Sequence, residues 1–182
     1  MLLTSADLET FQAQHPNHRL ELVHGNLIIM SPSGYESDEV AAEVIAQLRN
    51  WVRPRRLGRV TASSAGFRLP NPEHDVRAPD ASFVSSERLR RSPRAYADLA
   101  PDLMVEVKSP SDRVEDLEAK INQFLSLGTR VGILLNPENQ TATVYRPGQA
   151  TVVLTNDDLL TVEDLLPGWE VPVADLWPPV FE

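Results

Sequence analysis

The chain has 182 residues, 42% of them hydrophobic and 24% charged, with a formal net charge of -9. That is enough chain for one domain with a sizeable core, and too acidic for a surface that coats nucleic acid or anionic lipid throughout. The absence of cysteine excludes disulfide frameworks, thiolate zinc sites and cysteine nucleophiles.

The N-terminal MLLTSADLETF lacks the basic flank and long apolar run of a signal peptide. No later stretch approaches the ~18 apolar residues of a membrane span, so a soluble, cytoplasmic domain over residues 1–182 is expected. Thr4 or Ser5 can cap a short helix carrying Leu8 and Phe11. Apolar runs at 19–23 and 27–30 flank His24-Gly25-Asn26 and predict a hairpin. Ser37-Asp38-Glu39 opens an amphipathic helix whose Val40, Ala41, Val44, Ile45, Leu48, Trp51 and Val52 keep the helical period until Pro54 stops it. Short strands are expected at 59–62 and around Phe67, then a Pro-Asn-Pro loop leads to a strand at 80–84. Residues 87–97, polar and Arg-rich, read as a loop.

A strand at 103–107, apolar on both faces, belongs in the middle of a covered sheet. Residues 112–127 predict a second helix, with Asp112 and Glu115 as a capping box and Gly128 as terminator. Its core stripe is Leu117, Ile121, Phe124 and Leu125. Strands follow at 131–135, 141–145 and 151–154, with a turn at 136–140. A tail carrying Trp169, Trp177 and Phe181 among prolines packs on the core or against a second subunit. The order is a mixed α/β layout with too few β-α-β units for a doubly wound nucleotide fold, and neither GxGxxG nor GxxxxGK[ST] occurs.

Charge is segregated along the chain. The basic residues are fifteen arginines and two lysines, Lys108 and Lys120. Residues 44–72 hold Arg49, Arg53, Arg55, Arg56, Arg59 and Arg68 without one acid, whereas residues 150–182 hold seven acids and no base. A basic patch on an acidic molecule can make one local contact to phosphate. Arginines at the end of a helix also simply complement its dipole.

Polar residues interrupt two of the predicted strands. Asp80 opens one, and Glu106 and Lys108 close the other. Side chains alternate along a strand, so Glu106 and Lys108 are expected on one face and Val105 and Val107 on the other. If the strands pair antiparallel, Asp80 meets Glu106, and two carboxylates that close need a cation or a proton between them. Mg2+ (or Mn2+) suits such all-oxygen ligands, and a lysine beside it can activate water against a phosphodiester. The plainer alternatives are a solvated cross-strand pair for Glu106-x-Lys108 and a turn for Pro79-Asp80. Lys120 either pairs with Asp116 one helical turn away or reaches back over the sheet toward the carboxylates. The four histidines have no ligand spacing, although His74-Asp75 lies in a loop close to Asp80.

Several pieces together resemble one family. They are Glu21-Leu22-Val23-His24-Gly25, Met30-Ser31-Pro32-Ser33-Gly34, Arg77-Ala78-Pro79-Asp80, Val105-Glu106-Val107-Lys108-Ser109-Pro110-Ser111-Asp112-Arg113, Lys120, and Leu166-Pro167-Gly168-Trp169. They resemble, in order and over nearly the whole chain, the Uma-two family of restriction-endonuclease-like proteins in the PD-(D/E)XK nuclease superfamily. The resemblance implies a restriction-endonuclease-like core, a mixed sheet flanked by helices, here with an N-terminal helix plus hairpin and an apolar C-terminal tail. It implies Asp80 and Glu106 as metal ligands, Lys108 at the lysine position of the superfamily motif, and Glu21, Lys120 and Glu36 at positions characteristic of the family. Many members carry an apolar residue where this chain has Lys108, with the lysine on the helix instead. Both are present here, and the larger loss is expected on removing Lys108. Phe124 stands where a tyrosine is common, and Asn136 where an aspartate is.

These readings lead to an expected Mg2+-dependent endonuclease that hydrolyses DNA phosphodiester bonds. Arg49, Arg53, Arg55, Arg56 and Arg59 would contact phosphates, and a homodimer or higher homo-oligomer would supply two sites for double-strand cleavage. The alternative is a catalytically silent nuclease-fold module for DNA binding or assembly, which the net charge favours.

Overall fold

A computed structural model describes residues 2–181. Helix α1 (Ser5–Gln14) begins at Thr4, whose hydroxyl accepts from the Asp7 N–H while the Asp7 carboxylate accepts from Thr4, a reciprocal cap. Strands β1 (Arg19–Val23) and β2 (Asn26–Met30) form the expected hairpin. Its two-residue turn, His24-Gly25, takes positive φ at both positions, the mirror-image turn that matches strand twist. Helix α2 (Tyr35–Arg55) follows; Pro54 sits inside its last turn, and the helix ends at Arg56 in the left-handed region instead of stopping before the proline.

The remaining strands are β3 (Gly58–Ala62), β4 (Phe67–Arg68), β5 (Val76–Arg77), β6 (Ala81–Ser85), β7 (Leu103–Val107), β8 (Val131–Asn136), β9 (Thr141–Tyr145), β10 (Val152–Leu154), β11 (Leu159–Thr161) and β12 (Glu170–Pro172). Helix α3 (Val114–Ser126) links β7 to β8. A six-stranded sheet runs β10-β9-β8-β7-β6-β3, antiparallel except for the β7–β8 pair that α3 crosses. A four-stranded sheet runs β2-β1-β5-β4. Between β5 and β6, residues 78–80 carry the chain from the small sheet to the large one.

The alternation read from residues 103–107 sorts the two faces of the large sheet. Leu103, Val105 and Val107 pack with Val40, Val44, Leu48 and Val52 of α2, while Met104 packs with Ile121 and Phe124 of α3. Trp169 and Trp177 of the tail join the α2 side, so the tail covers the core, although Phe181 at its end is exposed. The capping box expected at α3 does not form. The helix starts later, at Val114, and Asp112 instead accepts from the N–H and hydroxyl of Ser109, closing the loop before the helix. Among the described residues no helix is long and apolar enough to cross a membrane.

How deeply α3 sits on the sheet is set by one glycine. A Cβ on Gly132 of β8 would lie 2.4 Å from Cγ2 of Ile121. Gly132→Ala is therefore expected to lift α3 and cost about 1–3 kcal/mol, as overpacking does. Chemical denaturation measures this, and an unchanged midpoint would show that α3 rides up freely. The neighbour of Ile121 on that helix is Lys120.

Candidate active site

The antiparallel β6–β7 pairing sets Ala81 opposite Val105, which brings Asp80 to the end of β7 beside Glu106. Asp80 Oδ2 accepts the Val107 N–H at 2.8 Å, so the carboxylate is fixed by the strand it faces. Glu106 projects to the α3 side of the sheet, away from Val105 and Val107, and is 3% exposed. There it meets Lys120, whose Nζ lies 2.9 and 3.0 Å from the two Glu106 oxygens. The same Nζ donates to the Ala78 carbonyl at 3.0 Å and stands 3.6 Å from Glu21 Oε1. Glu21 in turn accepts the Ala78 N–H at 2.9 Å and the Arg77 Nε–H at 3.2 Å. The peptide unit at Ala78 is thus held on both sides by site residues, just before the chain reaches Asp80.

A second line of contacts supports Arg77 from behind. Its guanidinium donates to Gln123 Oε1 at 2.8 Å, and Gln123 Nε2 donates to the fully buried Asp75 at 2.7 Å. Asp75 also accepts the His24 N–H, tying the hairpin turn to α3. His74, its partner in the sequence reading, is exposed.

Four of the six expected site residues converge: Glu21, Asp80, Glu106 and Lys120 line one cleft of about 390 Å³. The other two do not. Lys108 lies one residue past the end of β7; its Nζ turns to Glu138 at 3.0 Å in the β8–β9 turn, and it does not line the cleft. Glu36 is exposed on the outer side of the first turn of α2, while its neighbours Ser37 and Asp38 line the cleft. The arginines at 49–59 lie elsewhere. They occupy the far end of the ~30 Å helix whose N-terminus borders the cleft, and Arg59 pairs with Val84 at the opposite end of β6 from Asp80. The sequence places none of Arg19, Arg77, Asp112 and Gln123 in the site, Asp112 being expected only as a helix cap. Only Arg77, two residues along β5 and three before Asp80, had a readable signal.

The Uma2 family, described as "Putative restriction endonuclease", matches residues 6–174. The chain belongs to the Uma2 family. Among solved structures, a crystal structure of "a putative nuclease belonging to DUF820" from Anabaena variabilis is similar, with a TM-score of 0.75 and 26% identity over 86% of this chain and 88% of that one. No curated protein matches the chain. The fold is restriction-endonuclease-like, and the Uma2 membership with this neighbour supports a nuclease function in general terms.

The electrostatics of the Uma2 cleft follow from burial. Burial pushes the Glu106 carboxyl up to about 7; Lys120 pulls it down, and Asp80 and Glu21 add to the rise. Burial raises Asp80 as well, against the Val107 N–H, Lys120 and Arg19, with Asp112 adding to the rise. Burial alone would raise Glu21, but Lys120, Arg77 and the Ala78 N–H outweigh it and hold that carboxyl low. Burial opposes the charge on Lys120, yet Glu106 and Glu21 overcome it, even against Arg77, and keep the ammonium charged.

Two observations bear on a cation here. Among the described residues, buried Glu106 Oε1 receives no hydrogen bond of good geometry; its charged neighbour is the Lys120 ammonium at 2.9 Å, which leaves that carboxylate oxygen room for a further cationic partner. The cleft also carries Glu21, Asp38, Asp80, Glu106, Asp112 and Asp116 against Arg19, Arg77 and Lys120, so a polyanion is repelled until positive charge is added. Among the described residues no three His, Cys, Asp or Glu side chains group as a ready metal cage. A pair of carboxylates fits Mg2+, which keeps several waters and takes few protein ligands.

Proposed function

We propose that this protein is a Mg2+-dependent endonuclease that hydrolyses DNA phosphodiester bonds in the cleft between β2, α2 and α3. The meeting of Asp80 with Glu106, with the Lys120 ammonium 2.9 Å from the latter, carries this reading. Asp80 and Glu106 would hold the cation, with Mn2+ as a substitute. When bound, the cation supplies positive charge at the scissile phosphate and acidifies the attacking water. Asp80 keeps its orientation through the Val107 N–H. Lys120, steadied by the Ala78 carbonyl and Glu21, sets a buried positive charge where negative charge grows on the phosphoryl oxygens. Glu21 and Arg77 act behind it, fixing Ala78 and so the approach to Asp80.

Plasmid nicking with Mg2+ or Mn2+ tests the reading. Asp80→Ala is expected to lower the rate by at least ~100-fold. Equal cleavage by wild type and variant would mark the activity as a contaminant and sink the proposal. DNA binding with no cleavage by the wild type would favour the silent module instead.

A further inference from the structure

The far end of the molecule from the cleft carries an unbalanced concentration of charge. Of the fifteen arginines, six (Arg68, Arg77, Arg88, Arg113, Arg130 and Arg146) form ion pairs with carboxylates. A seventh, Arg19, lines the cleft and bonds to the Ser63 carbonyl. The other eight stand at 49–59 and 90–94, and among the described residues none of them meets a carboxylate. In a chain with 26 acidic residues this is not a shortage of partners.

The two arginine segments form one surface. Arg59 donates to the carbonyls of Leu89 at 3.0 Å and Arg90 at 2.6 Å, pinning the loop that holds Arg90, Arg91 and Arg94 against β3. Between loop, β3 and α2 lies a second cavity of about 390 Å³, floored by Phe67, Val84 and Leu89 and flanked by Arg49, Arg53 and Arg59. Arg49 and Arg53 are one helical turn apart, a like-charge spacing whose repulsion an anion bound between them would relieve. The cavity shares no lining residue with the catalytic cleft.

We infer that this cavity is a second binding site, for a phosphate ester of a nucleotide unit, separate from the place of cleavage. The arginines take the phosphate, and the apolar floor takes the attached nucleoside. The unit comes either from a nucleic-acid strand or from a free nucleotide. This inference does not depend on the cleavage reading, because the site lies at the other end of β6.

The test is polarisation of a short fluorescein-labelled oligonucleotide in EDTA, where cleavage plays no part. Arg49→Ala/Arg53→Ala is expected to weaken binding at least ~10-fold and to reduce the slope of log K against log salt by about 1.4 to 1.8. Arg130→Ala/Arg146→Ala removes the same charge elsewhere and should leave binding within about twofold of wild type. Equal losses in the two double variants, or none in the first, overturn the inference. With the first pattern in hand, displacement of the oligonucleotide by AMP assigns the site to free nucleotides. Displacement only by unlabelled strand assigns it to nucleic acid. Displacement by inorganic phosphate as readily as by AMP would overturn the nucleoside part.

Discussion

Lys120→Met is expected to lower cleavage by about two to three orders of magnitude, and Lys108→Met by no more than about tenfold. The family resemblance favours the opposite order, because Lys108 holds the lysine position of the motif just past the end of β7. Geometry reverses it. Lys120 is buried with its ammonium against Glu106, Ala78 and Glu21, whereas Lys108 pairs with Glu138 outside the cleft. Removing Lys120 leaves buried carboxylates unpaired, a change that costs about 3–5 kcal/mol. Rates are therefore to be compared below the thermal midpoint of the variant, with Lys120→Arg as a second variant that keeps the charge. If Lys108→Met falls further than Lys120→Met in a folded protein, the assignment fails.

The second large effect is on pH. With Glu106 titrating at about 7, the site below that pH holds a proton where a cation would bind. Mg2+ uptake must then expel the proton, so apparent affinity should rise about tenfold per pH unit below 7 and level off above it. Calorimetry in two buffers of different ionisation enthalpy reads the released proton directly; an affinity that is flat from acid to neutral pH would contradict the shift. The metal-free protein should respond in the opposite sense. Because the folded pKa lies above the model value of 4.5, the native state keeps a proton that the unfolded chain loses between 4.5 and 7. Stability contributed by Glu106 is thus present below 4.5 and declines as pH rises through 7, by up to about 3 kcal/mol. Cation binding reverses that decline.

The sequence was most legible where a period was long. α2, α3 and the buried strand β7 follow from their apolar spacing, and the meeting of Asp80 with Glu106 follows once β6 and β7 pair antiparallel, a condition that the structure meets. A strand around Phe67 is legible and is β4, but β5, two residues long, is too short to carry a period, so its place between β1 and β4 is not readable, nor is the setting of Arg77. The choice between the lysines was not readable either. It depends on how closely α3 approaches β8 at Gly132, a tertiary distance that local spacing does not encode. The arginine cluster is legible as a phosphate contact because its segment holds six arginines and no acid, but its distance from the cleft is not. A long helix separates it from the cleft, and only the ends of α2 and β6 in space show that.

The site straddles a seam between two units of unequal strength. Glu106 and Lys120 belong to the large sheet and the helix packed on it, while Glu21 and Arg77 ride on the small sheet. Among the described residues, only Leu8, Leu22 and Val76 form a buried cluster beneath that small sheet and α1, against more than twenty residues on the α2 side of the large sheet. A unit with so little apolar burial opens locally at a fraction of the cost of global unfolding. Opening there would strip Lys120 of one counterion and release Ala78 while the main core stayed intact. Competence at this site is governed by the weaker side of the seam, and the large sheet can outlast it.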